Sequence, residues 1–188
     1  GNRVSTSNAS NAGAHVPMWV ISVKDFLKLD SMPKHEELMR QGLLVKRSHN
    51  HFCIFVSHQW LGIGHPDPAL QQLLILQKAL RNIIGGVCAI QSDLASQFFG
   101  ESRRLSKTEI QQLEQGYIWL DWFSIPQEPH LVEDLPDDEE GEVSDTTPAE
   151  MTRFPSWKSP GSLTNQDLYI SSIPFFVEVS DIFLALVP

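Results

Sequence analysis

Two apolar runs that end in the same way constrain the fold more than any other feature. The first, Phe52-Cys53-Ile54-Phe55-Val56, stops at Ser57-His58-Gln59-Trp60; the second, Tyr117-Ile118-Trp119-Leu120, stops at Asp121-Trp122-Phe123-Ser124. Neither run alternates polar with apolar residues. Each therefore reads as a strand buried on both faces, of the kind found in parallel sheets. In open α/β sheets ligands bind at the C-terminal ends of the strands. The polar and aromatic residues that close both runs mark where a site would lie.

The segments around these runs fit helices. After Trp60 comes a loop, Leu61-Gly62-Ile63-Gly64-His65-Pro66, and then Asp67-Pro68, a suitable N-cap and first helical position. Leu70, Leu73, Leu74, Leu80, Ile83 and Ile84 recur at helical spacing until Gly85-Gly86, which completes a strand–loop–helix unit of βαβ type. Upstream, Met18 to Ile21 reads as a strand or docking segment. Ser22-Val23-Lys24-Asp25 resembles a capping box opening a short helix to about Leu29, and a further helix is expected from Pro33 to Gly42. Downstream, Leu94 to Phe99 fits a helical turn or two. Ser106-Lys107-Thr108-Glu109 is a full capping box for a helix ending at Gly116. Thr164-Asn165-Gln166-Asp167 opens another helix, with Leu168, Tyr169, Ile173 and Phe176 inward and Pro174 expected to kink or restart it. Asp181 to Pro188 reads as a third buried strand. A parallel sheet that ends on a bare central strand is unusual, so the sheet is expected to be incomplete at its C-terminal side and the chain to be a piece of a longer protein.

With 188 residues and 41% hydrophobic composition, one domain with a real core is expected over residues 16–188, behind a disordered lead-in over residues 1–15. The composition shifts at about residues 128–161, where Glu133-Asp134, Asp137-Asp138-Glu139-Glu140, Glu142 and Asp145 form an acidic tract between prolines. It reads as a flexible insertion, since it lacks the spacing and central glycine of a calcium loop. The net charge of -9 and the absence of a basic stripe argue against nucleic acid as a partner. The two cysteines, Cys53 and Cys88, sit in apolar surroundings and point to a reducing compartment, hence to the cytoplasm. No apolar run reaches the roughly 18 residues of a membrane span.

The strand-end residues invite several chemistries. Ser57 and His58 are adjacent, so in a strand their side chains point to opposite faces and do not make a nucleophile and its base. No G-x-S-x-G elbow is present. The two are expected instead to bond loop backbone. His49, His51, His58, His65 and Asp67 lie close in sequence, but without cysteine pairs or H-E-x-x-H spacing, so no metal site is expected. Gly62-x-Gly64 lacks the third glycine of a dinucleotide loop, and Asp67 would repel a phosphate at the helix start. Trp60 and Trp122, just beyond the ends of strands that should be neighbours, could wall a pocket for a planar ring or cap the core. Asp121 could accept from a ribose hydroxyl or order its loop.

Taken together these blocks resemble the TIR-like superfamily, in its divergent branch overlapping the fungal heterokaryon-incompatibility (HET) domains. Phe55-Val56-Ser57-His58-Gln59-Trp60 is similar to the opening strand of such domains. Ile118-Trp119-Leu120-Asp121 through Ile125-Pro126-Gln127 is similar to their Trp-x-Asp…Gln block, and Asp181 to Pro188 to a later core strand. The resemblance implies a flavodoxin-like three-layer α/β sandwich with a mainly parallel sheet. It implies a signalling or defence domain acting by self-association or with other TIR-like domains, with a nucleotide-binding cleft at the strand ends. The residues carried over to that cleft are Ser57, His58, Trp60, Asp121, Trp122, Ser124 and Gln127. No cofactor is required by this reading. NAD enters as a substrate only in the alternative, an NAD-cleaving glycohydrolase whose catalytic glutamate lies beyond this chain; Glu178 does not match that position.

Overall fold

The computed structural model describes residues 16–88, 105–128 and 164–186. The expected lead-in, the turns at Leu94 to Phe99 and the acidic tract beyond Glu128 lie outside the described residues. The elements run β1 (Trp19–Ser22), α1 (Val23–Phe26), α2 (His35–Arg40), β2 (Leu44–Lys46), β3 (Cys53–His58), α3 (Gln71–Ile84), α4 (Lys107–Glu114), β4 (Tyr117–Leu120), α5 (Asp121–Ser124), α6 (Asn165–Glu178) and β5 (Ile182–Leu186).

The strands form a five-stranded sheet in the order β2-β1-β4-β3-β5. β3 pairs in parallel with β4, from Cys53 opposite Tyr117 to Val56 opposite Leu120, and with β5, from Ile54 opposite Ile182 to His58 opposite Leu186. The two apolar runs are thus neighbouring parallel strands whose polar ends lie at the same edge of the sheet. β1 pairs antiparallel with both β2 and β4. The sheet is therefore mixed, where a mainly parallel one was expected. The difference arises upstream of β3: the connection through α1, α2 and Gly42 returns β2 antiparallel along β1, and β1 itself runs antiparallel to β4.

Alternation along the two central strands divides the core. Ile54, Val56, Ile118 and Leu120 pack with Phe26, Leu38, Leu73, Leu76, Leu80 and Leu113 on one face, the face of α1, α2, α3 and α4. Cys53, Phe55 and Trp119 pack with Val20, Tyr169 and Phe176 on the other, the face of α6. Phe55 stacks on Trp119 with ring centroids 4.3 Å apart. β5 departs from expectation. It lies at the edge of the described sheet, half-buried in alternation, with Phe183 exposed, because only β3 flanks it.

Local signals act where local geometry suffices. The capping boxes of α4 and α6 both form, through Ser106 with Glu109 and Thr164 with Asp167. α6 continues through Pro174 without a break. α2 starts at His35, two residues after the expected Pro33, and α3 at Gln71 rather than after Asp67. Asp67 still caps α3, at longer range. Its fully buried carboxylate accepts from the Gln71 N–H at 2.8 Å and the Leu73 N–H at 2.9 Å, a favourable place for an anion. The intervening turn places Leu70 at φ 56°, an unusual conformation for a bulky residue. Rotating the helix start also leaves Leu74 exposed and buries Leu76 and Gln77, whose amide donates to the Phe26 and Leu29 carbonyls.

Gly116 links α4 to β4 where the backbone comes closest to β3. A Cβ there would stand 2.7 Å from the Phe52 carbonyl oxygen and 2.9 Å from that of Gln112, both backbone atoms that cannot swing aside. Gly116→Ala is expected to destabilise the fold by about 1–3 kcal/mol, the range for overpacking. Urea unfolding should show a lower midpoint with an unchanged slope; an unaltered midpoint would mean that the β3–β4 junction is looser than this.

Candidate functional site

The site is built where β3 and β4 end. Residue alternation puts His58 on the face of Ile54 and Val56, above α3, and Ser57 on the face of α6. The sequence expectation that the two side chains diverge is met. The expectation that they bond loop backbone is not met for His58, whose partners are side chains. Its Nε2 lies 2.7 Å from Asp121 Oδ1 and its Nδ1 2.9 Å from Gln72 Oε1. Asp121 reaches this position because β4 turns directly into the single-turn helix α5. Gln72 reaches it because the first turn of α3 lies beneath the end of β3.

The amide of Gln72 has its orientation fixed by its other end: its Nε2 donates to the Gln59 carbonyl at 2.6 Å. The atom facing His58 Nδ1 is consequently the oxygen, an acceptor. Asp121 is also an acceptor. Both imidazole nitrogens must donate, so His58 is the imidazolium. Its side chain is only 2% exposed and that of Asp121 32%. Burial opposes the charge on His58, but the Asp121 carboxylate, the Gln72 carbonyl and the charge of Asp67 outweigh it and raise its pKa above the ordinary imidazole value. Burial likewise pushes Asp121 up, yet His58, the Trp60 indole and the Trp122 N–H together hold it below the ordinary carboxylate range.

Both oxygens of Asp121 are engaged. Oδ1 accepts from His58 and from the Trp122 backbone N–H at 2.6 Å, and Oδ2 accepts from the Trp60 indole at 3.2 Å. Trp60 lies edge-on to Trp122, centroids 5.6 Å apart, and His65 packs on the other side of Trp122 at 5.2 Å. The two tryptophans differ in exposure. Trp60 is exposed, whereas Trp122 is buried in the α3-side core with its indole donating to the Met32 carbonyl. The cavity that touches His58 has a volume of about 10 Å³, lined by Leu73, Leu120, Leu186 and their neighbours, room for one water at most.

The remaining expected site residues lie apart from the pair. Ser124 is fully buried and its hydroxyl accepts from the Leu120 N–H at 3.3 Å, closing α5 back onto β4. Gln127 is turned away: its backbone N–H donates to Glu36 Oε1 at 2.6 Å, and its side-chain amide to the Ile125 carbonyl. Ser57 sits beside Ala185 of β5. Sequence reading missed Gln72, which orients His58, and Glu36, which gathers the Gln127 and Glu128 N–H groups. No group of histidines, cysteines and acids that could hold a metal occurs among the described residues. Among them, too, no helix is long and apolar enough to cross a membrane.

Comparison of the chain with protein-family models, curated proteins and solved structures finds no match.

The arrangement can hold a charge pair and a loop; it has no nucleophile poised on a base. Its stability follows from the two shifts. His58, raised on folding, contributes fully below its unfolded value near 6.5, and that contribution is lost as pH rises through the folded value. Asp121, lowered on folding, contributes above its unfolded value near 3.8 and loses that contribution as pH falls through the folded value. The pair therefore stabilises most between these two limits. Asp121→Asn is expected to cost about 2–3 kcal/mol there, the worth of hydrogen bonds to a charged group. The difference from wild type, read by urea unfolding at a series of pH values, should narrow on the alkaline side. A cost that does not vary with pH would show His58 to be neutral in the fold.

Proposed function

We propose that this chain is a TIR/HET-like interaction domain of the cytoplasmic signalling or defence class that acts by self-association, with the strand-end loop Gln59 to Pro66 as its contact surface. The carrying observation is a contrast at the end of β3. An ion pair between the enclosed His58 and the partly exposed Asp121 anchors the root of this loop, while Trp60 and Leu61 are exposed over part of their surface and Ile63 wholly so. Scattered exposed apolar residues are ordinary, but three within four residues on an anchored loop form a patch suited to a protein partner. The loop is also braced from within, by the Leu61 N–H on the Pro66 carbonyl at 2.7 Å.

The sheet supports the same reading. Its parallel trio has the first strand, β3, in the middle, flanked by the second and third, β4 and β5. Flavodoxin-like sheets begin in this order, with their switch point beside that central strand. Core clusters on both faces suit the three-layer sandwich that this family has.

The glycohydrolase reading has one observation in its favour: the exposed Trp60 indole beside Asp121 offers a planar ring a stacking surface at the strand ends. The occupied oxygens of Asp121 and the burial of Trp122 favour the interaction domain over it.

Burying an isoleucine contributes about 1.5–3 kcal/mol, so Ile63→Asp is expected to weaken self-association at least about tenfold without altering the fold. Sedimentation velocity over a concentration series checks this, with circular dichroism as the control for folding. Wild-type protein that stays monomeric to about 100 μM, well above the micromolar range of weak specific contacts, overturns the assembly reading. Nicotinamide release from NAD by a folded chain extended past Pro188 would establish the glycohydrolase instead.

A further inference from the structure

His58 stands between two acceptors contributed by different elements, Asp121 from α5 and Gln72 from α3. A neutral imidazole has one N–H and cannot serve both. When His58 loses its charge, the remaining proton stays on Nε2, since a lone pair set against the Asp121 carboxylate would be the costlier arrangement. Nδ1 then presents a lone pair to Gln72 Oε1 at a separation of 2.9 Å. Turning the Gln72 amide over relieves that clash, but it brings the amide oxygen against the Gln59 carbonyl, where the amide nitrogen had donated at 2.6 Å. Two acceptors do not share that distance, so the Gln59 carbonyl is released.

We propose that His58, Gln72 and Gln59 form an acid–base latch on the strand-end loop, holding its root while His58 is protonated and freeing it when that proton leaves. The other charged group acting on His58 is Asp67, in the turn before α3, whose carboxylate stays engaged with the α3 N–H groups in either state. His65 faces Trp122 instead, and its Nδ1 accepts from the Asp67 N–H. The small cavity beside His58 is lined by Phe26, Met32, Leu73, Leu76, Leu120 and Leu186, none of which titrates. Trp60 keeps a second tether, its indole on Asp121 Oδ2, so the release is local to Gln59 and does not unfold the loop. If the loop is the contact surface, which rests on the function proposed above, assembly weakens on the alkaline side of the His58 titration.

The test follows the Gln72 side-chain amide and the loop backbone amides by NMR from about pH 5 to 9, the range in which an imidazole titrates. It uses the Ile63→Ser chain, so that failure of self-association does not affect the result. The Gln59 carbonyl carbon and the Trp60 amide nitrogen that follows it are expected to shift in a single step as that carbonyl loses the hydrogen bond from Gln72. The step should share its midpoint with the His58 ring carbon signals. In a Gln72→Met chain these two signals should keep their released positions at every pH, while His58 still titrates. A loop step with a midpoint different from that of His58, no step at all, or a step that persists in Gln72→Met overturns the latch.

Discussion

The ion pair between His58 and Asp121 fixes the geometry on which the strand-end region depends. A largely buried charge pair adds little net stability compared with an apolar replacement, because the ions lose water, and the attraction offsets that cost only in a well-made arrangement of the partners. Here that arrangement aligns three elements: the last residue of β3, the first residue of α5 and the first turn of α3. Each ion has its remaining hydrogen-bonding capacity taken up nearby. The imidazolium uses its second N–H on Gln72, and the carboxylate receives the Trp60 indole and the Trp122 amide. The parallel pairing of β3 with β4 sets the distance across which the pair closes.

The same end of the sheet shows how surroundings decide the state of a histidine. His35 and His58 are both largely enclosed. His35 has only the Phe123 carbonyl against Nδ1, and burial keeps its pKa below the ordinary imidazole value. His58 has a carboxylate and a second acceptor, and these overcome burial. One histidine is accordingly a neutral donor that pins α5 to α2, and the other is held toward its charged form. Neither requires a ligand to account for it.

What could be read from the sequence follows the range of each interaction. The two apolar runs are strands, side by side and parallel, because unbroken hydrophobicity is a property of the segment itself. The capping boxes at Ser106 and Thr164 close over three residues and formed as read. Asp67 was read as an adjacent N-cap and instead reaches past a left-handed Leu70, which shifts the helix by three residues and changes which leucines are buried. The mixed pairing of the sheet was not legible, because β2 is a three-residue strand with two exposed positions and carries no periodic signal. At the site, His58, Trp60 and Asp121 were singled out and do converge. Trp122 was placed with Trp60 because both follow strand ends, but the helical turn starting at Asp121 rotates Trp122 inward beneath Met32. Gln72 had no sequence signal, since its role depends on a loop bringing residues fourteen apart into contact.

The account rests on His58 being doubly protonated inside the fold, and the ring nitrogens of that residue report on it directly. Nitrogen-15 NMR of the folded chain at a pH equal to the ordinary imidazole value of about 6.5 should show His58 with both nitrogens protonated in more than half of the molecules. A His58 ring with one bare nitrogen in most molecules at that pH would contradict the account, for the clasp at the end of β3 would then hold no charge.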